Sequence, residues 1–189
     1  MDRIVLASAS PRRKQLLEWA EVPFDVIPSD AEELIPEDLP VSEIPVFLAS
    51  QKASIVRKKV DSGRIILAAD TLVLLDQQVL GKPTGRTDAI RMLSHLSGRV
   101  HEVITGVSLT TDKKEILFAE TTRVRFHALT RSAIEYYVDE YRPYDKAGAY
   151  AIQEWIGVIG IKSIEGDFYN VMGLPVSRVV RELNKLWTD

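Results

Sequence analysis

The chain has 189 residues, 46% of them hydrophobic and 27% charged, which fits one domain spanning 1–189 with ample material for a core. Its net charge of −3, from 24 basic and 27 acidic residues, argues against nucleic acid as the partner, and the absence of cysteine excludes disulfides and zinc knuckles. Met1 to Ser10 lacks a signal-peptide pattern and no apolar run nears the ~20 residues that span a bilayer, so a soluble, cytoplasmic protein is expected.

Arg3 to Ala7 reads as a short strand. Ser8-Ala9-Ser10-Pro11-Arg12-Arg13-Lys14 follows, with Ser10 a good N-cap and Pro11 suited to the first helical position. Three cations in that first turn oppose the helix dipole, and an anion would resolve the conflict. Either this is a phosphate site or a solvated basic helix end. Phe24 to Ile27 is a second short strand. Pro28 to Pro40 is an acidic loop carrying Glu32 and Glu33. Such a cluster is either a solvated loop or the source of a carboxylate at a divalent metal. Ser42 to about Val60 is expected to be a helix, N-capped by Ser42. Lys52 interrupts its apolar line of Ile44, Leu48 and Val56, so it either snorkels to water or reaches into a phosphate site.

Ile65 to Leu75 has the composition of a central strand buried on both faces, with Asp70 in its middle. An unpaired carboxylate there is costly. Asp70 therefore pairs with a cation, binds a metal or sits where the strand opens; the plainer alternative is a structural aspartate capping the strand's end. Asp76-Gln77 reads as a hairpin turn into Gln78 to Leu80. Gly81-Lys82-Pro83 then holds a lysine on constrained backbone. Thr87 to Leu96 is a helix with Thr87 as N-cap. Arg99 to Thr110 and Glu115 to Ala128 alternate as a hairpin with one wet face. His95, His101 and His127 lack metal-ligand spacing and read as structural. Thr130 caps a helix to Tyr141. Tyr144 to Gln153 is dense in small residues, suiting either a tight corner or close approach to a ligand. Ile156 to Ile164 reads as a buried strand, Glu165 to Pro175 as a turn-rich connection, and Val176 to Leu186 as the last helix.

This order predicts an α/β fold: a mixed central sheet flanked by helices, with the hairpins building a second lobe across a deep cleft. Cations and carboxylates without cysteine or paired histidine point to a polyphosphate held by metal and basic side chains.

Ser-x-Ser-Pro-Arg-Arg at 8–13, Glu32-Glu33, Gln51-Lys52-Ala53, Ala68-Ala69-Asp70-Thr71, Gly81-Lys82-Pro83, Ser97-Gly98-Arg99, Lys146-Ala147-Gly148-Ala149-Tyr150 and Gly166-Asp167-Phe168-Tyr169-Asn170 occur in that order. Together they resemble the Maf family of nucleoside triphosphate pyrophosphatases. The resemblance implies an inosine-triphosphate-pyrophosphatase-like fold and a homodimer. It also implies hydrolysis between the α and β phosphates, dependent on a divalent metal cation (magnesium or manganese). It lands the catalytic base on Asp70 and the residues that separate family branches on Arg12, Thr71 and Gln153, which resemble the branch acting on dTTP and UTP. Expected roles are Ser8, Arg13, Lys52 and Lys82 on phosphates, and Glu33 (Glu32 as the alternative) with Asp70 at the metal. The competing class is a nucleotide-binding regulator of septum formation with little hydrolysis. Were Asp70 and Thr71 both to serve one cleft, regular β structure would stop near Ala69, with Asp70 facing Arg13, Lys52 and Lys82.

Overall fold

In the computed structural model, which describes residues 2–30 and 34–188, seven strands form one sheet. The strands are β1 (Ile4–Leu6), β2 (Phe24–Val26), β3 (Ile66–Leu75), β4 (Gln78–Leu80), β5 (Val100–Thr110), β6 (Glu115–Phe126) and β7 (Ile161–Glu165). Their order is β2-β1-β3-β5-β6-β7, with β4 also on β3. β1 runs parallel to β2 and β3, whereas β3–β4 and β6–β7 are antiparallel, so the sheet is mixed as expected. The helices are α1 (Pro11–Trp19), α2 (Ile44–Arg57), α3 (Arg86–Leu96), α4 (Arg131–Tyr141), α5 (Trp155–Gly160), α6 (Phe168–Met172) and α7 (Val176–Thr188). Among the described residues, no helix is long and apolar enough to cross a membrane.

The chain divides into two compact units. The first comprises 1–71, 105–120 and 173–189. Its α2 lies on one face of β1 and β3, where Ala53 and Val56 meet Val5, Ala7, Ile66 and Ala68. Alanine at 53 and 68 lets helix and sheet approach closely. Gly106 serves the same end, since a Cβ there would lie 2.1 Å from the Pro45 carbonyl carbon. In α1, Ser10 caps and Pro11 starts the helix as read from sequence. The start of α2 differs: a single 3₁₀ turn over Val41–Glu43 precedes it, and Ser42 caps nothing.

The second unit comprises 72–104 and 121–172. Asp76 and Gln77 both take positive φ, +47° and +67°, which is the backbone of a two-residue hairpin turn matched to strand twist. Thr130 caps α4 through its hydroxyl, but α3 begins one residue before Thr87, after Gly85. No side chain caps this helix start; Asp88 in its first turn instead accepts from the Thr84 amide, which lies before the helix, at 3.0 Å. The expected strand over Ile156 to Ile164 is instead α5 followed by β7. Apolar composition cannot separate a short helix from a strand, and the two glycines favour tight packing in α5. Gly157 would place a Cβ 1.8 Å from the Ile152 carbonyl oxygen. A second helix, α6, interrupts the connection read as turns, started by Asp167 accepting from the Tyr169 amide at 2.7 Å.

His101 is structural, as expected. Its Nε2 lies 2.6 Å from the Tyr150 hydroxyl and its ring stacks on Phe126 at 5.6 Å. Burial lowers its pKa from 6.5 to about 4 and pushes the Tyr150 phenol up. A histidine held neutral contributes stability above its unfolded pKa and loses it as pH falls toward its folded pKa. Linkage across that span is worth roughly 3 kcal/mol. Wild type is therefore expected to lose more stability than His101→Leu between pH 7 and pH 4.5 in urea titrations. Equal losses would contradict this.

Candidate active site

β3 does not stop at Ala69. It runs unbroken through Asp70 and Thr71 to Leu75, because Val73 to Leu75 pair with β4 and carry the strand onward to its turn. Both residues are half-buried in an otherwise buried strand. Side chains alternate along a strand, so the two serve opposite faces. That corrects the expected break and the expectation that Asp70 faces Arg13 and Lys82 as well as Lys52: Asp70 pairs with Lys52, whereas Arg13 bonds Thr71.

On the α2 face, Ile66 and Ala68 are followed by Asp70. On the helix, Lys52 stands one turn before Val56. Lys52 Nζ donates to Asp70 Oδ1 at 2.5 Å. The side chains are 15% and 18% exposed, so the pair is largely but not wholly out of water. The apolar interruption in α2 and the carboxylate in β3 thus explain one another. Lys52 does not snorkel away from the face.

On the opposite face, Arg13 organises the contacts. Its Nε donates to the Gly173 carbonyl at 2.8 Å, Nη1 to Ser8 Oγ at 3.2 Å and Nη2 to Thr71 Oγ1 at 3.0 Å. Thr71 Oγ1 also lies 2.9 Å from the buried Thr105 hydroxyl. Ser8 Oγ accepts the Ser10 amide at 3.2 Å, so one hydroxyl joins the turn before α1 to the first turn of the helix. Arg12 is partly buried in the same turn. No acidic residue occupies that first turn, which carries Arg12, Arg13 and Lys14. The arrangement can hold anionic oxygen.

In the second unit, Lys82 is exposed after β4, between Gly81 and the buried Pro83. The Gly148 amide donates to the Gly81 carbonyl at 3.0 Å, tying this segment to the corner that carries Gln153. Gln153 itself is exposed. Glu32 and Glu33 lie outside the described residues. Among the described residues, no group of three histidine, cysteine, aspartate or glutamate side chains gathers as a metal cluster. Asp70, with Lys52 on one oxygen, is a donor of the hard, anionic kind that magnesium and manganese take. It suits a cation arriving on a phosphate better than an all-protein cage.

Sequence reasoning missed Thr105 and the Gly173 carbonyl. Thr105 lies in a strand read as alternating with one wet face, whereas β5 is buried continuously from Val103 to Leu109, and no side-chain pattern announces a carbonyl. It also passed over Tyr137 and Glu154, and gave no role to Lys146 beyond its motif; the three surround Gln153's segment.

The profile of the Maf-like protein family matches residues 3–186. A Bacteroides thetaiotaomicron protein named dTTP/UTP pyrophosphatase is 49% identical over 97% of this chain and 96% of its own. A Bacillus mycoides protein of the same name is 47% identical over 100% of this chain and 98% of its own. Among solved structures, the Staphylococcus aureus Ham1 protein overlaps 66% of this chain and 72% of its own at 15% identity and a TM-score of 0.45. On the match across nearly its whole length, the chain belongs to the Maf-like protein family.

Proposed function

We propose that the protein hydrolyses nucleoside triphosphates, dTTP and UTP foremost, between the α and β phosphates, giving nucleoside monophosphate and pyrophosphate. The names of the relatives support the substrate class. The observation that carries the chemistry is the Lys52–Asp70 pair, a fixed cation against a carboxylate in the middle of an otherwise buried strand.

Asp70 takes the proton of the attacking water as the α–β anhydride opens. Lys52 orients that carboxylate and offers positive charge to the phosphates. Ser8, Arg13 and Lys82 bind phosphate oxygens, and Arg13 in addition fixes Ser8 and Thr71. Asp70, with Glu33 as the second carboxylate the resemblance implies, would hold a divalent cation, which would supply neutralisation of phosphate charge. Arg12, Thr71 and Gln153 select the base. A glutamine amide offers a donor and an acceptor, matching the paired groups on a uracil or thymine edge. Nucleoside triphosphates are cytoplasmic metabolites, so this reading carries that location with it. A homodimer belongs to the same proposal and is checked by light scattering.

Pyrophosphate release across dTTP, UTP, dCTP, ATP and GTP, with magnesium or manganese, tests the reading. Turnover of dTTP and UTP at least about tenfold above the purine nucleotides is expected, about 1.4 kcal/mol of discrimination. Saturable dTTP binding with no release from any triphosphate would favour the nucleotide-binding regulator instead.

A further inference from the structure

We infer that Tyr137, with Glu154 and Lys146, is a positioning unit for Gln153, and so a determinant of base selection. The inference rests on the reading of Gln153 as the base-reading residue. Tyr137, Lys146, Gln153 and Glu154 all lie within the second unit.

Tyr137 is fully buried on α4. Its hydroxyl accepts the Ala151 amide at 3.2 Å and donates to Glu154 Oε2. One hydroxyl therefore holds the chain on both sides of Ile152-Gln153. The Glu154 amide closes the same segment by donating to the Ala151 carbonyl at 3.1 Å. Glu154 Oε1 lies 3.5 Å from Lys146 Nζ, which also donates to Asp145 at 2.8 Å, and Lys146 is buried. Between Lys146 and Ala151 the backbone passes through two left-handed residues, Gly148 (φ +69°) and Ala149 (φ +61°). Alanine rarely adopts that conformation, so the corner is held by its surroundings rather than by local preference. The exposed Gln153 amide thus stands on a braced turn while its neighbours are tied to a core tyrosine. A glutamine reads a base edge only if its amide is held in one place, and the brace supplies that.

Tyr137→Phe removes the hydroxyl and keeps the ring. The expected result is a rise of about 3–10-fold in KM for dTTP and UTP, the size of one hydrogen bond, with kcat kept within about twofold. The preference for dTTP over dGTP falls by a similar factor. Combined with Gln153→Ala, the two losses are less than additive, because the second change removes what the first misplaces. Glu154→Ala, at a half-buried site, is the second variant if Tyr137→Phe does not fold, with the same pattern expected. An equal fall in kcat on every nucleotide with KM unchanged overturns the inference, as does full additivity with Gln153→Ala. If Gln153→Ala lowers the dTTP preference while Tyr137→Phe and Glu154→Ala leave it intact, the positioning role alone falls. If Gln153→Ala itself changes nothing, the base-reading assignment falls with it.

Discussion

Asp70→Asn is expected to lose about 10²–10⁴-fold in turnover while the fold is kept, the range a general base supplies. Asparagine has the same shape, so β3 keeps its pairing. Its side-chain oxygen still accepts from Lys52, which donates to Asp70 at 2.5 Å. What disappears is the negative charge and the proton-accepting capacity. The stability change is expected to be about 1 kcal/mol, because the pair remains partly exposed and one hydrogen bond survives. Circular dichroism and a thermal melt check the fold; pyrophosphate release from dTTP checks the chemistry. A variant with near-normal turnover would remove Asp70 from the reaction.

Arg13→Lys should cost roughly 10–100-fold in kcat/KM although the charge is retained. The guanidinium places three separate nitrogens on Gly173, Ser8 and Thr71. An ammonium is one point of charge on a flexible stem and cannot span them. Ser8 and Thr71 would lose their common anchor, so both phosphate binding and base selection suffer. About 1–3 kcal/mol of stability goes as well, which is several degrees in melting temperature for a chain of this size. Lysine that restored both activity and melting temperature would show that charge alone matters at position 13.

The helix starts most legible in sequence were those written by side-chain chemistry. Ser10-Pro11 and Thr130 announce caps, and the hairpin of Val100 to Phe126 was announced too, although only β6 keeps the expected alternation while β5 is buried from Val103 to Leu109. The strand of Ile66 to Leu75 was legible from composition, and so was the anomaly of Asp70. Its local geometry was not. An unbroken strand needs only that its hydrogen-bonding partners continue, and Gln78 to Leu80 supply them across the turn. Asp70 and Thr71 accordingly serve two faces, one through Lys52 and one through Arg13. Ile156 to Gly160 went the other way: an apolar stretch that suits a strand folded as a helical turn where glycine lets it press against Ile152. Contacts made through backbone carbonyls, or through a tyrosine distant in sequence, leave no local pattern. Gly173, Thr105 and Tyr137 came only from the fold.

The bond that breaks is the most direct test. With dTTP labelled on the α phosphate, the labelled product is expected to be dTMP, with one pyrophosphate released per turnover and none from Asp70→Asn above about 1% of wild type. Labelled dTDP with orthophosphate, or dTMP formation undiminished in Asp70→Asn, would contradict cleavage between the α and β phosphates by this carboxylate.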